Sequence, residues 1–195
     1  MPKRASCFTQ HPLVTIPHST GTPLHVYGGN YRHPADDADI LIALESAGYR
    51  RDLYANFPWT KRDAFLFPIV NNGVPNISDL RNLLDWLEEE LLKGRVAHIG
   101  CIGGHGRTGL VLSALWNQCT GDANSTAILR ETYCHKAVES AAQVDYLEKH
   151  FGIEPVKPRY NAIDIGDWGL PTTTEIQRRK RHRRGSVTRI KREDT

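Results

Sequence analysis

VAHIGCIGGHGRTGLVLSAL, residues Val96–Leu115, is the stretch on which the reading of the chain turns. It opens with a short apolar run, Val96–Ile99, passes through a glycine-rich loop and leaves in an apolar, helix-forming run. A strand feeding a tight loop feeding a helix aims backbone N–H groups, and the positive end of the helix dipole, at one point. Gly103, Gly104 and Gly106 let the backbone turn tightly and approach an anion closely. Arg107 can grip two oxygens of one phosphate with its planar fork. Cys101 lies six residues before it. The field that favours a phosphate also favours a thiolate, and cysteines so placed have pKa values of roughly 3.5–7.5 instead of about 8.5. The pattern points to phosphoryl transfer, with Cys101 attacking phosphorus and forming a cysteinyl-phosphate.

Outward from this loop the chain alternates strand and helix signals. Before it, Ser78–Lys93 carries Leu80, Leu83, Leu84, Leu87 and Leu91 on one helical face, with Ser78 as the expected cap and Gly94 as the expected stop. Phe65–Val70 reads as a strand interrupted by Pro68, Asp39–Leu44 as a short buried strand, and Leu24–Tyr27 as a first strand ending at Gly28-Gly29. The run at 50–59 is mixed in period and is left unassigned. After the loop, helices are expected over Leu110–Asn117, Ser125–Thr132 and Ala137–Phe151. This alternation predicts an α/β fold with a central, largely parallel sheet flanked by helices. The glycine-rich loop then sits at a strand's carboxyl end, where such folds bind ligands.

The chain has 195 residues, enough for one domain with a sizeable core. Its charge is uneven. The last 18 residues hold nine Lys or Arg and two acidic residues, so the remainder is acidic, net −4, although the total is +3. The expected organisation is an irregular N-terminal wrap at 1–23, a catalytic-type domain at 24–154, an irregular extension at 155–177 and a basic, disordered tail at 178–195. The tail is either an inert solvated segment or an electrostatic contact for nucleic acid or another polyanion. MPKRASCF lacks the apolar core of a signal peptide, and no apolar run is long enough to span a membrane. A cytoplasmic location, with the four cysteines reduced and no membrane partner, is therefore expected.

Cys101, five intervening residues, then Arg107 and Thr108 resemble the signature of the cysteine-dependent protein tyrosine phosphatases. GGHGRTG at 103–109 is most similar to the dual-specificity branch and to phosphatase-like proteins encoded by phages. Gly73-Val74-Pro75 lies where that family's acid-loop motif ends. Ala137-Val138-Glu139-Ser140 followed by Gln143 resembles its last core helix. The likeness spans roughly residues 24–152. It implies a nucleophile at Cys101 and a phosphate cradle of Ile102, Gly103, Gly104, His105, Gly106 and Arg107. It also implies that the Thr108 hydroxyl eases the sulfur's departure and that Gln143 orients the hydrolytic water, unless Gln143 is only a polar helix-face residue. His105 falls where phosphoinositide-type relatives carry a second cation. No cofactor and no metal are implied, although His98, Cys101 and His105 are all metal-ligand types.

Two positions depart from the family pattern. A His usually precedes the Cys, whereas here Gly100 holds that position and the His is at 98. The usual general-acid Asp is replaced by Asn71, which can hydrogen-bond a leaving oxygen but cannot protonate it. Asp63 and Asp79 are the nearest carboxylates in sequence. The expected activity is hydrolysis of phosphomonoesters, on protein or small-molecule substrates. The alternatives are cleavage of a phosphoanhydride, as in an RNA 5′-triphosphatase, whose leaving group needs no proton, and a non-catalytic module that binds a phosphorylated ligand.

Overall fold

A computed structural model describes residues 11–45 and 63–160. Five strands form one sheet: β1 (Leu13–Ile16), β2 (Leu24–Asn30), β3 (Ile40–Ala43), β4 (Asp63–Leu66) and β5 (Ala97–Cys101). Their order across the sheet is β1-β2-β5-β3-β4. Only β1 runs antiparallel to its neighbour; β2, β5, β3 and β4 are mutually parallel. The buried runs ILIA in β3 and AHIGC in β5 suit interior parallel strands, which need apolar residues on both faces. Parallel pairing brings strand ends together at one edge. Asn30 pairs with Cys101 and Ala43 with Gly100, so the carboxyl ends of β2, β3 and β5 converge around the cysteine.

Several boundaries differ from the sequence reading. Leu13–Ile16, expected within an irregular wrap, is an edge strand whose Val14 and Ile16 enter the core. β2 runs through Gly28 and Gly29 to Asn30 instead of stopping at them. A Cβ on Gly28 would lie 2.5 Å from the Tyr133 hydroxyl, so this glycine makes room and does not turn the chain. β4 is Asp63–Leu66, ending before Pro68, which has no N–H for a ladder. The unassigned run at 50–59 lies outside the described residues, as does the basic tail.

The described residues include four helices: α1 (Ile77–Leu92), α2 (Gly106–Thr120), α3 (Ser125–Thr132) and α4 (Ala141–Phe151). In α1, Leu80, Leu84, Leu87 and Leu91 are buried, as the periodicity required. Its cap is Asn76, whose Oδ1 accepts from the N–H groups of Ser78 and Asp79 at 2.8 and 3.3 Å. Ser78 therefore lies inside the first turn. α2 is buried over most of its length and packs against β5, β2, α1, α3 and α4, which makes it the central helix of the core. α4 starts four residues later than expected. Ser140 and Gln143 form a reciprocal capping box there, and Val138 takes a left-handed φ of 60° that no helix continues through. No helix among the described residues is long and apolar enough to cross a membrane.

Candidate active site

Cys101 ends β5, buried at 3% exposure. Residues 102–105 then turn, and α2 begins at Gly106. The Thr108 hydroxyl accepts from the Cys101 backbone N–H at 3.0 Å and so ties the loop's end to its beginning. Acceptance there leaves the hydroxyl proton to be donated elsewhere. Thr108 is not the helix cap. The cap position is His105, which makes no side-chain capping bond, so no side chain closes the N-terminus of α2 from that position. Gly104 has a φ of +69°, and a Cβ there would fall 2.8 Å from the Cα of Gly29. Its carbonyl accepts from the Tyr133 hydroxyl. Gly109 lets α2 approach the backbone of Ala137 and Val138. Ile102 is exposed at the loop's rim.

Arg107 is buried, and the described residues hold its guanidinium through Nη1 and Nη2. Nη1 donates to the carbonyls of Leu44 and Ile69 at 3.0 and 3.1 Å. Nη2 lies 2.9 Å from Glu45 Oε1, an ion pair in which both side chains are buried. A guanidinium carries five N–H donors. Among the described residues the two on Nη1 are hydrogen-bonded and Nη2 is held to Glu45 as an ion pair without a hydrogen bond; the Nε/Nη2 edge is the one that can bind two oxygens side by side. Sequence reasoning missed Glu45. Its signal was an acid placed directly after the apolar run DILIAL, at the carboxyl end of a buried strand.

The segment carrying Asn71 is fastened beside this arginine. The Ile69 carbonyl accepts from Arg107, the Asn72 carbonyl accepts from Ser140 Oγ at 2.7 Å, and the Gly73 carbonyl accepts from Gln143 Nε2 at 3.3 Å. Asn71 stands exposed at the turn between these anchors, and Asn72 takes a φ of 57°. Gln143 is fully buried. Its Oε1 accepts from the N–H groups of Glu139 and Ser140 at 2.9 and 3.3 Å, so the amide works as a cap and as a brace for the Asn71 turn. Glu139 Oε2 accepts from the Gly106 N–H at 3.1 Å, and burial pushes this carboxyl above its ordinary value. Asp63 begins β4, at the sheet edge opposite Cys101, and pairs with Arg95 at 2.7 Å. Asp79 is an exposed first-turn residue of α1.

Both histidines of the Val96–Leu115 stretch are buried. His105 turns its ring into the body, with Nδ1 3.4 Å from Cys134 Sγ. Burial, aided by His11, Lys136 and Arg159, lowers its pKa to about 4, so at neutral pH it is an uncharged ring and not a second phosphate-binding cation. His98 is buried in β5, its Nδ1 accepting from the Ala35 N–H at 3.2 Å, and it does not join Cys101 and His105 in a metal-ligand group. Gly100 has a packing reason: a Cβ there would lie 2.6 Å from the Tyr31 nitrogen. The end of β2 crosses too closely for any side chain.

Searched against protein-family models, the chain matches none. Two curated relatives, both uncharacterized proteins of Methanocaldococcus jannaschii, MJECL20 and MJ0215, are 37% identical over 83 residues and 38% identical over 80 residues. The alignments cover 43% and 41% of this chain and 56% and 50% of the relatives, so the chain spans about half the length of the curated relatives it matches. Among solved structures, Tk-PTP in its active form superposes with a TM-score of 0.57 at 22% identity, covering 66% of this chain and 90% of that one. Kinase associated phosphatase gives 0.58 at 16%, covering 75% and 98%. The human tyrosine phosphatase-like serine/threonine/tyrosine-interacting protein gives 0.57 at 16%, covering 66% and 91%. The fold is that of the protein tyrosine phosphatases. In that fold the loop between β5 and α2 lies at the carboxyl edge of the parallel strands, here with Cys101, Arg107 and Thr108 in it.

Proposed function

We propose that the chain is a cysteine-dependent phosphatase of the tyrosine or dual-specificity type, acting on phosphomonoesters of protein or small-molecule substrates. The observation that carries this reading is Arg107, held by Leu44, Ile69 and Glu45 with no hydrogen bond on its Nε/Nη2 edge among the described residues, in the same closed loop as Cys101. The cysteine sulfur attacks phosphorus, a P–S bond forms, and the P–O bond to the leaving group breaks. Water then cleaves the P–S bond and returns the thiolate, which Thr108 stabilises as it departs. Such a nucleophile requires a reducing compartment, so a cytoplasmic location belongs to this reading.

Asn71 takes the place of the general acid in this proposal, and the leaving oxygen departs without a proton from it. Asn71→Asp should supply that proton. Turnover of alkyl phosphates and phosphotyrosine should rise by about tenfold or more, a part of the 10²–10⁴-fold range of general acid catalysis. Activity on p-nitrophenyl phosphate, whose leaving group is already acidic, should change little. A wild type that hydrolyses triphosphates and no monoester would favour the phosphoanhydride reading, which the same Asn motivates. Equal kinetics of wild type and Asn71→Asp on every ester would remove Asn71 from the site.

The basic tail is proposed to hold a polyanion, with nucleic acid as the test ligand. Full-length protein should bind RNA with a steeper salt dependence than a chain ending at Gln177, because each phosphate contact releases counterions. Equal binding across the salt series would assign the tail no such role.

A further inference from the structure

Three side chains from distant parts of the chain converge behind the phosphate loop. His11 precedes β1, His105 lies in the loop, and Cys134 follows α3. One ring nitrogen from each histidine and the Cys134 sulfur lie within 4.8 Å of one another. The sulfur is 3.4 Å from His105 Nδ1. Around a tetrahedral zinc ion, sulfur and nitrogen ligands stand about 3.6 Å apart and two nitrogens about 3.3 Å apart, given metal–ligand bonds of about 2.0–2.3 Å. One contact is therefore already at ligand spacing, and the widest gap needs to close by no more than roughly 1.5 Å. We propose that His11, His105 and Cys134 bind a single thiophilic metal ion of the zinc class, which staples the phosphate loop to the segment before β1.

Three further observations support the site. His11 Nε2 is buried and has no hydrogen-bond partner among the described residues. A polar atom left in that state costs free energy unless something occupies it. The His11 ring is also held in place, stacked on Tyr133 at 4.7 Å and edge-on to His105 at 5.2 Å. Finally, the ligand set is one thiol and two imidazoles, all soft or intermediate donors, with no oxygen ligand of the kind calcium or magnesium requires. His135, Lys136 and Arg159 place positive charge nearby. An ion therefore needs the Cys134 proton to leave as it binds, so that the thiolate offsets part of its charge. Water completes the coordination. Cys101 is not among the ligands, and the site's occupancy does not depend on turnover.

The test uses cobalt(II) as a spectroscopic stand-in and zinc as competitor, on the full chain after chelation. Wild type and Cys101→Ser should each take up one equivalent of cobalt with a thiolate-to-metal charge-transfer band, and zinc should abolish it. Cys134→Ser should lose the band. His11→Gln, which changes only the segment before β1, should weaken cobalt binding by about tenfold or more. At one zinc concentration the melting temperature of wild type and Cys101→Ser should rise, and that of His11→Gln should rise less. Absence of a band in wild type overturns the proposal. So does a band that survives Cys134→Ser and disappears in Cys101→Ser, since the ion then sits on the nucleophile. Should Cys134→Ser not fold, unchanged cobalt affinity in His11→Gln overturns it equally.

Discussion

Cys101→Ser should reduce phosphomonoester hydrolysis to the uncatalysed background while the protein still binds substrate and vanadate. Serine preserves the volume of a residue that is 3% exposed and keeps the backbone N–H that bonds Thr108 at 3.0 Å. The loop therefore stays closed and Arg107 stays in place. What is lost is the sulfur, a far better nucleophile toward phosphorus than a serine hydroxyl oxygen. Single-turnover assays with phosphotyrosine peptide, beside equilibrium binding of the same peptide, separate the two effects. Hydrolysis by Cys101→Ser at the wild-type rate would exclude the cysteinyl-phosphate and leave the loop as a binding site only.

Arg107→Met should destabilise the fold by about 3–5 kcal/mol, the range for removing one partner of a buried ion pair. Glu45 is 1% exposed, and its carboxylate lies 2.9 Å from Arg107 Nη2, so the substitution leaves a charge in the core without its cation. The carbonyls of Leu44 and Ile69 lose their donor as well. Combining Arg107→Met with Glu45→Gln should recover a substantial part of that loss, because the double variant buries no unpaired charge. Urea unfolding of the two single variants and the double measures the coupling directly. Strictly additive effects would show that Glu45 and Arg107 do not act as a pair. Activity follows a different rule: the double variant, although more stable, should remain inactive, because nothing replaces the fork. Arg107→Lys should likewise fail to bind or turn over phosphate, since a single ammonium cannot hold two oxygens at once.

The strand, loop and helix around Cys101 were legible because local chemistry specifies them. β5 is a short apolar run, the turn is written in glycines, and α2 follows as an apolar helix. α1 was equally clear from its leucine spacing. The errors lie where side chains act across the fold. Gly28 and Gly29 read as a strand end, but they sit inside β2 because Tyr133 and His98 pack over them. α4 starts later than the apolar residues at 137 and 138 suggest, because the backbone there bends to let Gly109 approach.

The sequence by itself determined the α/β alternation, through its apolar periodicities, and the Cys101–Arg107 spacing across a glycine loop on which the proposed nucleophile and phosphate fork rest. Tertiary structure alone decided what those residues meet. Glu45 pairs with Arg107 because β3 and β5 are parallel neighbours whose carboxyl ends coincide. Gln143 braces the Asn71 turn because α4 begins beside it. His105 is a neutral, inward ring because Cys134 and His11, nearly 30 and more than 90 residues away in sequence, close over it. Pairing across such separations is set by how strands register and helices pack, and no local pattern of residues encodes it.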